Sequence, residues 1–164
     1  MIASLVALAL QTAATSNSAP APTPAGEEPV APYAESDANA GAAPFRGDAM
    51  WRAFGAAAGV HAIVDDLVAR NTADPRITDI FRNRDLVRLR RTLFEQFCYI
   101  LNGGCHYSGQ TMAQSHKDMG IQQADMAALV ENLQAAMRGQ HVPMAAQNRL
   151  LAKLAPMHRP IVAR

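Results

Sequence analysis

The sequence predicts an all-α domain behind a segment with no regular structure. Three observations carry this. From about Phe45 onward, apolar residues recur at intervals of three and four and almost never alternate. No pair of alternating runs brackets a tight turn in the way a β-hairpin requires. Before Phe45 the chain is dominated by proline and small residues, which favour neither helix nor strand and offer little to bury.

Residues 1–19, MIASLVALALQTAATSNSA, open with an apolar run from Ile2 to Leu10 followed by small residues. That is the pattern of a secretory signal, although no basic residue precedes it. The run is too short to cross a bilayer as a helix, so no stable membrane insertion is expected. It points to export to the periplasm, with a cytoplasmic chain bearing a disordered tail as the alternative. Residues 20–44, PAPTPAGEEPVAPYAESDANAGAAP, read as a Pro/Ala-rich disordered linker. The folded domain is therefore expected over residues 45–164, enough chain for one domain.

Within that domain the first helical stripe is Val60, Ile63, Val64, Leu67 and Val68, closed by Asp74 and Pro75. A short connection holding Ile80 and Phe81 follows. The second helix carries Leu86, Leu89, Leu93, Phe97, Ile100 and Leu101 and stops at "NGG", 102–104. A third, very short helix surrounds His116 and ends at Gly120. The fourth shows Met126, Leu129, Val130, Leu133 and Met137. The last runs from about Pro143, which suits a first turn, through Leu150, Leu151, Leu154, Met157 and Ile161. Pro156 and Pro160 should kink its end.

The composition is 49% hydrophobic and the net charge is +1, so a packed core is affordable and no polybasic footprint points to nucleic acid or acidic lipid. Cys98 and Cys105 have neither zinc-site spacing nor company. The reading adopted is one buried thiol and one loop thiol, a bond between them being the alternative in an oxidising compartment. The unusual feature is the short helix. One turn is marginal on its own, and a ligand bound through His116 would hold it in place.

Four stretches resemble the truncated haemoglobins, specifically their first group. "WRAFGAAAGVHAIVDDLVARNTADPRITDIF" is similar to that family's opening, with its glycine turn, "VDD" helix and "ADPR" corner. "GGCHYSGQTMAQSHKDMGI" resembles its glycine, Tyr-x-Gly, methionine and proximal-histidine signature. "AALVENLQAAM" and "NRLLAKLAPMHRPIV" resemble its last two long helices. One departure is Ala56, where the family often has a second glycine.

The resemblance implies a two-over-two helical sandwich around haem b (iron protoporphyrin IX). His116 matches the iron ligand, a neutral imidazole whose other nitrogen donates to a backbone carbonyl. Phe81 matches the phenylalanine that wedges the porphyrin. Leu89, Leu93 and Phe97 match haem-facing positions of the distal helix, and their spacing by four independently places them on one face. Met112, Ile121, Met126 and Leu129 match apolar positions on the proximal side. Arg88, Arg90 and Arg91 either pair with haem propionates or form a solvated face. Tyr107 either bonds near a propionate or packs its loop. His61, His106, His141 and His158 are expected to be structural or exposed.

The distal side departs from the pattern. Val68 and Leu93 stand where the family commonly has a tyrosine and a glutamine that hydrogen-bond bound oxygen. With Leu89 they make an apolar distal pocket around a five-coordinate or water-ligated iron. Thr92 and Gln96 are the nearest polar side chains on that helix. Losing such a hydrogen bond, worth about 1.5–3 kcal/mol, weakens oxygen binding roughly tenfold to a hundredfold. The implied function is binding of O2, NO or CO, with oxygen transport as the family-level role. A haem enzyme (nitric oxide dioxygenase or peroxidase-like, served by a reductase), a gas sensor and an electron-transfer protein stay open as alternatives.

Overall fold

A computed structural model describes residues 23–162; the signal-like residues 1–19 lie outside them. The described residues hold helices and no β-strand, and no helix among them is long and apolar enough to cross a membrane. In order they are α1 (Ala49–Ala53), α2 (Ala56–Ala73), α3 (Thr78–Phe81), α4 (Leu86–Ile100), α5 (Met112–Ser115), α6 (Gln123–Gly139), α7 (Met144–Leu154) and α8 (His158–Ile161). Short 3-10 turns lie at Asp37–Ala40 and Ala155–Met157. The second turn contains Pro156 and follows directly on α7. Pro143 stands just before Met144 and not inside the first turn of α7.

Helix α2 is the centre of the core and packs against both α4 and α6. Val60, Ile63, Val64, Leu67 and Val68 are all at most 2% exposed. Each such side chain contributes about 1.5–3 kcal/mol on burial. The helix starts from two left-handed residues, Gly55 (φ 76°) and Ala56 (φ 54°). A left-handed alanine costs roughly 1–2 kcal/mol, no more than one of those burials contributes. The stripe therefore tolerates alanine where glycine would be free of strain. Met50 and Phe54 join this core from the N-terminal side, Leu133, Ala136 and Met137 from α6, and Ala146 and Leu150 from α7.

The linker expected over 20–44 is ordered from residue 23 onward. It is irregular, as its prolines require, but pinned. Glu28 N donates to Asp85 Oδ2 at 2.8 Å, Tyr33 Oη to the Ser108 carbonyl at 2.8 Å, and Tyr107 N to Asp37 Oδ1 at 2.8 Å. Asn39 Nδ2 donates to the Ala34 and Gly109 carbonyls, and Gln96 Nε2 to the Ala40 carbonyl at 2.9 Å. Proline and alanine exclude regular structure, yet they do not exclude a fixed coil whose polar groups find specific partners. The cysteines are corrected too. Cys98, at the buried end of α4, and Cys105, in the following loop, form a disulfide with Cα atoms 5.7 Å apart. The turn after α4 brings the loop back onto the helix it has just left.

Candidate functional site

Helices α2, α4, α5 and α6, with the loop before α5, surround a cavity of about 360 Å³. That lies within the roughly 300–1,000 Å³ usual for small-molecule sites. His116 faces it. The sequence reading put His116 on the short helix; the structure puts it one residue past α5. Thr111 starts that turn with a reciprocal cap. Its Oγ1 accepts from Gln114 N at 3.3 Å, and Gln114 Oε1 accepts from Thr111 N at 3.2 Å. His116 Nδ1 lies 2.8 Å from the Met112 carbonyl oxygen. A carbonyl only accepts, so Nδ1 carries the proton and Nε2 keeps a free lone pair. Burial holds the imidazole below the ordinary histidine range, outweighing the opposing Met112 carbonyl. The ring is neutral near pH 7 and suited to bind a metal.

Most of the predicted pocket residues meet here. Leu89 and Leu93 of α4 line the cavity with Phe81 at the end of α3. So do Met112, Ile121, Met126 and Leu129. Two predicted residues do not. Phe97, 3% exposed, and Val68, fully buried, belong to the core behind the cavity wall. Helix α2 instead contributes Leu67 and Asn71. Residues four apart lie only about 40° apart around a helix, whereas Val68 is turned about 100° from Leu67. The cavity face follows the 67–71 row, and Val68 points past it.

Asn71 breaks the expectation of an apolar wall. It is 2% exposed, and a neighbouring chain of contacts fixes its amide. Asn132 Nδ2 donates to Asp74 Oδ2 at 3.1 Å and to Asn71 Oδ1 at 3.0 Å. The Asp74 carboxylate can only accept, so Asn132 must present its NH2 there, and Asn71 must turn its oxygen toward Asn132. Hydrogen bonds from Arg76 hold the Asp74 carboxyl far below the usual carboxylate range, so it stays ionised. Asn71 Nδ2 is then left without a partner among the described residues. Four other polar groups at the cavity are committed: Thr92 Oγ1 to α4 carbonyls, Gln96 Nε2 to Ala40, Tyr33 Oη to Ser108 and Tyr107 Oη to Gln110. The signal for Asn71 was in the sequence, as a polar residue continuing the stripe 60, 63, 64, 67.

Of the three arginines, Arg88 alone reaches the cavity. Arg90 pairs with Asp65 at 3.2 Å, and Arg91 is taken by Glu27, Glu95 and Ser108. Arg88 Nε is buried and makes no hydrogen bond, its nearest partner being the Asp85 carboxylate at 3.5 Å. Tyr107 packs its loop: a Cβ on Gly109 would stand 2.2 Å from the Tyr107 hydroxyl, which accounts for glycine in the Tyr-x-Gly motif. Burial pushes the Tyr107 hydroxyl up to about 12. The remaining histidines lie elsewhere. His61 stacks on Phe94, His106 sits on Asp37, and His158 meets Gln123.

Among the described residues no cluster of three or more His, Cys, Asp or Glu could hold a metal ion. A metal on His116 therefore needs its other ligands from the molecule that fills the cavity. A porphyrin fits that requirement: apolar walls for its body, one neutral imidazole for its iron, and the Arg88 guanidinium in the lining for a carboxylate.

The chain and its fold have known counterparts. Over 89 residues the chain is 29% identical to a group 1 truncated haemoglobin of Tetrahymena thermophila, covering 54% of this chain and 74% of that protein. It is 32% identical over 66 residues to the Tetrahymena pyriformis counterpart, covering 40% and 54%. Among solved structures, the Fe(III) form of the Tetrahymena pyriformis truncated haemoglobin superposes with a TM-score of 0.67 at 23% identity, covering 70% of this chain and 98% of that one. A 2/2 haemoglobin of Synechococcus sp. PCC 7002 gives 0.65 at 20% identity, with the same coverage. Both share the two-over-two fold expected from the sequence. Residues 49–162 match the family described as bacterial-like globin, and the chain belongs to that family.

Proposed function

We propose that this protein binds haem b through His116 and uses it to hold a small diatomic gas, dioxygen foremost, with nitric oxide and carbon monoxide as further ligands. One observation carries the reading: a neutral imidazole, its tautomer set by the Met112 carbonyl, faces a cavity of about 360 Å³ walled by apolar side chains. When bound, haem supplies an iron centre with an open position for the gas. The chain's own residues do the rest. Leu89, Leu93, Met126 and Leu129 exclude water, and Arg88 meets a propionate.

Asn71 changes the oxygen expectation. Val68 and Leu93 lack donors, which alone would favour weak oxygen binding. The free Nδ2 of Asn71 supports a hydrogen bond to dioxygen, which takes on negative charge when held at an iron centre. Such a bond is worth about 1.5–3 kcal/mol and discriminates against the less polar carbon monoxide. The Cys98–Cys105 bond supports placement in an oxidising compartment such as the periplasm.

The test is a titration of the purified chain with haemin, followed by spectra of the ferric, ferrous and carbonmonoxy forms. A Soret band saturating at one haem per chain is expected. A chain that stays colourless sinks the reading.

A further inference from the structure

We infer that residues 23–44, which lie outside the globin match, complete the ligand site: Val30 and Tyr33 are binding residues, and Glu27 is the residue that positions them. The identity of the ligand rests on the haem reading above; the geometry of the strap does not.

Val30 and Tyr33 line the same cavity as His116. Val30 is 46% exposed, a branched apolar side chain left uncovered at the edge of a cavity. A flat apolar ligand projecting from the cavity mouth would cover it. The strap is fastened on both sides of these residues. On the N-terminal side the Glu27 side chain is only 1% exposed, and its carboxylate grips Arg91 through both oxygens, one of these contacts being 2.9 Å to Nη2. The same carboxylate lies 3.4 Å from Arg88 Nη2. On the C-terminal side Tyr33 is tied to Ser108, and Asp37 to Tyr107 N.

A carboxylate this buried persists only when paired, and removing its charge leaves the arginines short of a partner. Arg88 and Arg91 both stand on α4, the helix that presents Leu89 and Leu93 to the cavity. The clamp thus fixes the strap to the wall it extends. Val30 and Arg88 thereby line one cavity. The expected ligand is accordingly a planar apolar body that reaches the cavity mouth. It is held on one side by helices and on the other by a coil that the globin domain does not include.

The full chain loaded with ferric haem, and its Glu27→Gln and Val30→Ala variants, are mixed with excess apomyoglobin, and haem transfer is timed. Transfer from Glu27→Gln is expected to run roughly tenfold faster, the effect of one charged hydrogen bond, with Val30→Ala a few-fold faster. Hydrogen exchange supplies a second readout. Amides of residues 27–40 should gain protection on loading in the native chain and not in Glu27→Gln, while amides of α2 and α6 keep theirs in both. Native transfer rates in both variants, or strap amides indifferent to loading, would overturn the inference while leaving haem binding intact. Failure of the native chain to take up haem would instead remove the reading on which the ligand's identity rests, and the inference with it.

Discussion

His116 and Asn71 face one cavity but are held in opposite ways. The imidazole follows a four-residue helix, steadied by a capping box and one bond to the Met112 carbonyl. The amide sits in the last turn of an 18-residue helix whose apolar stripe is the core itself. Its orientation is dictated by a chain of contacts through Asn132 to Asp74 and Arg76. A single turn gains little from its own hydrogen bonds, so the proximal side should be loose until a ligand holds it. The distal side is built before any ligand arrives. On the proposed reading, affinity for the cofactor and choice of gas are separable in this molecule.

That separation breaks first, and most severely, at His116. Replacing it with alanine removes the nitrogen proposed to bind the metal while touching none of the buried core. The His116→Ala protein is expected to keep its helical circular dichroism and lose stoichiometric haem uptake, measured by the Soret band. If it bound haem with native affinity and spectrum, the proximal assignment would be wrong.

Next in size is the covalent tie between the two sides. Cys98 belongs to α4 and Cys105 to the loop that leads to His116. The bond closes a short loop, with a sequence separation of 7. Loops of that length correspond to roughly 2–3 kcal/mol of stability. A Cys105→Ser variant, unfolded in urea beside the native chain, should show that loss. If haem holds the loop as well, the loss should shrink in the loaded protein, whereas equal losses would mean that the ligand does nothing for the loop.

How much of this was legible follows from what each element is made of. Long helices announced themselves through apolar spacing, because burial of one face is what stabilises them, and α2, α4 and α6 lie where that spacing put them. His116 was legible because its motif is local. Val68 was misplaced because a position matched by motif says nothing about which way a helix is turned, and one residue shifts the direction by about 100°. The strap was misread for a different reason. Its order comes from individual contacts such as Glu27 with Arg91, between residues 64 apart. Composition describes a segment's own preferences, not its distant partners. The disulfide belongs with the strap: two cysteines permit a bond, and only the return of the chain after α4 brings them together.

A smaller effect is expected on the distal side. Asn71→Leu keeps the branching at Cγ and removes the donor. In the haem-loaded protein, dioxygen dissociation should accelerate roughly tenfold. Carbon monoxide dissociation should barely change, and the carbonmonoxy stretching band should move to higher frequency. An unmoved band together with an unchanged oxygen rate would show that Asn71 faces away from the gas. Haem uptake by this variant should be native, which is the sharpest check that the two functions are separable.

The smallest effect tests the contact chain behind that amide. Asp74 accepts bonds from Asn132 and from Arg76, and an ionised carboxylate leaves Asn132 a single orientation. Asp74→Asn lets residue 74 offer a donor or an acceptor, so Asn132, and Asn71 after it, can turn over. Oxygen dissociation should rise only about twofold to fivefold, a fraction of one hydrogen bond, and the carbonmonoxy band should split in two. Acidity offers the same test without mutation. Because Arg76 lowers the Asp74 pKa, the contribution of this carboxylate is complete above the usual aspartate value near 4. It is lost only as the pH falls through the lower folded-state value. The native protein should therefore keep one carbonmonoxy band from about pH 8 down to about pH 5. Two bands near neutrality would mean that the amide was never fixed, and the distal donor would become a matter of rotamer populations and not of construction.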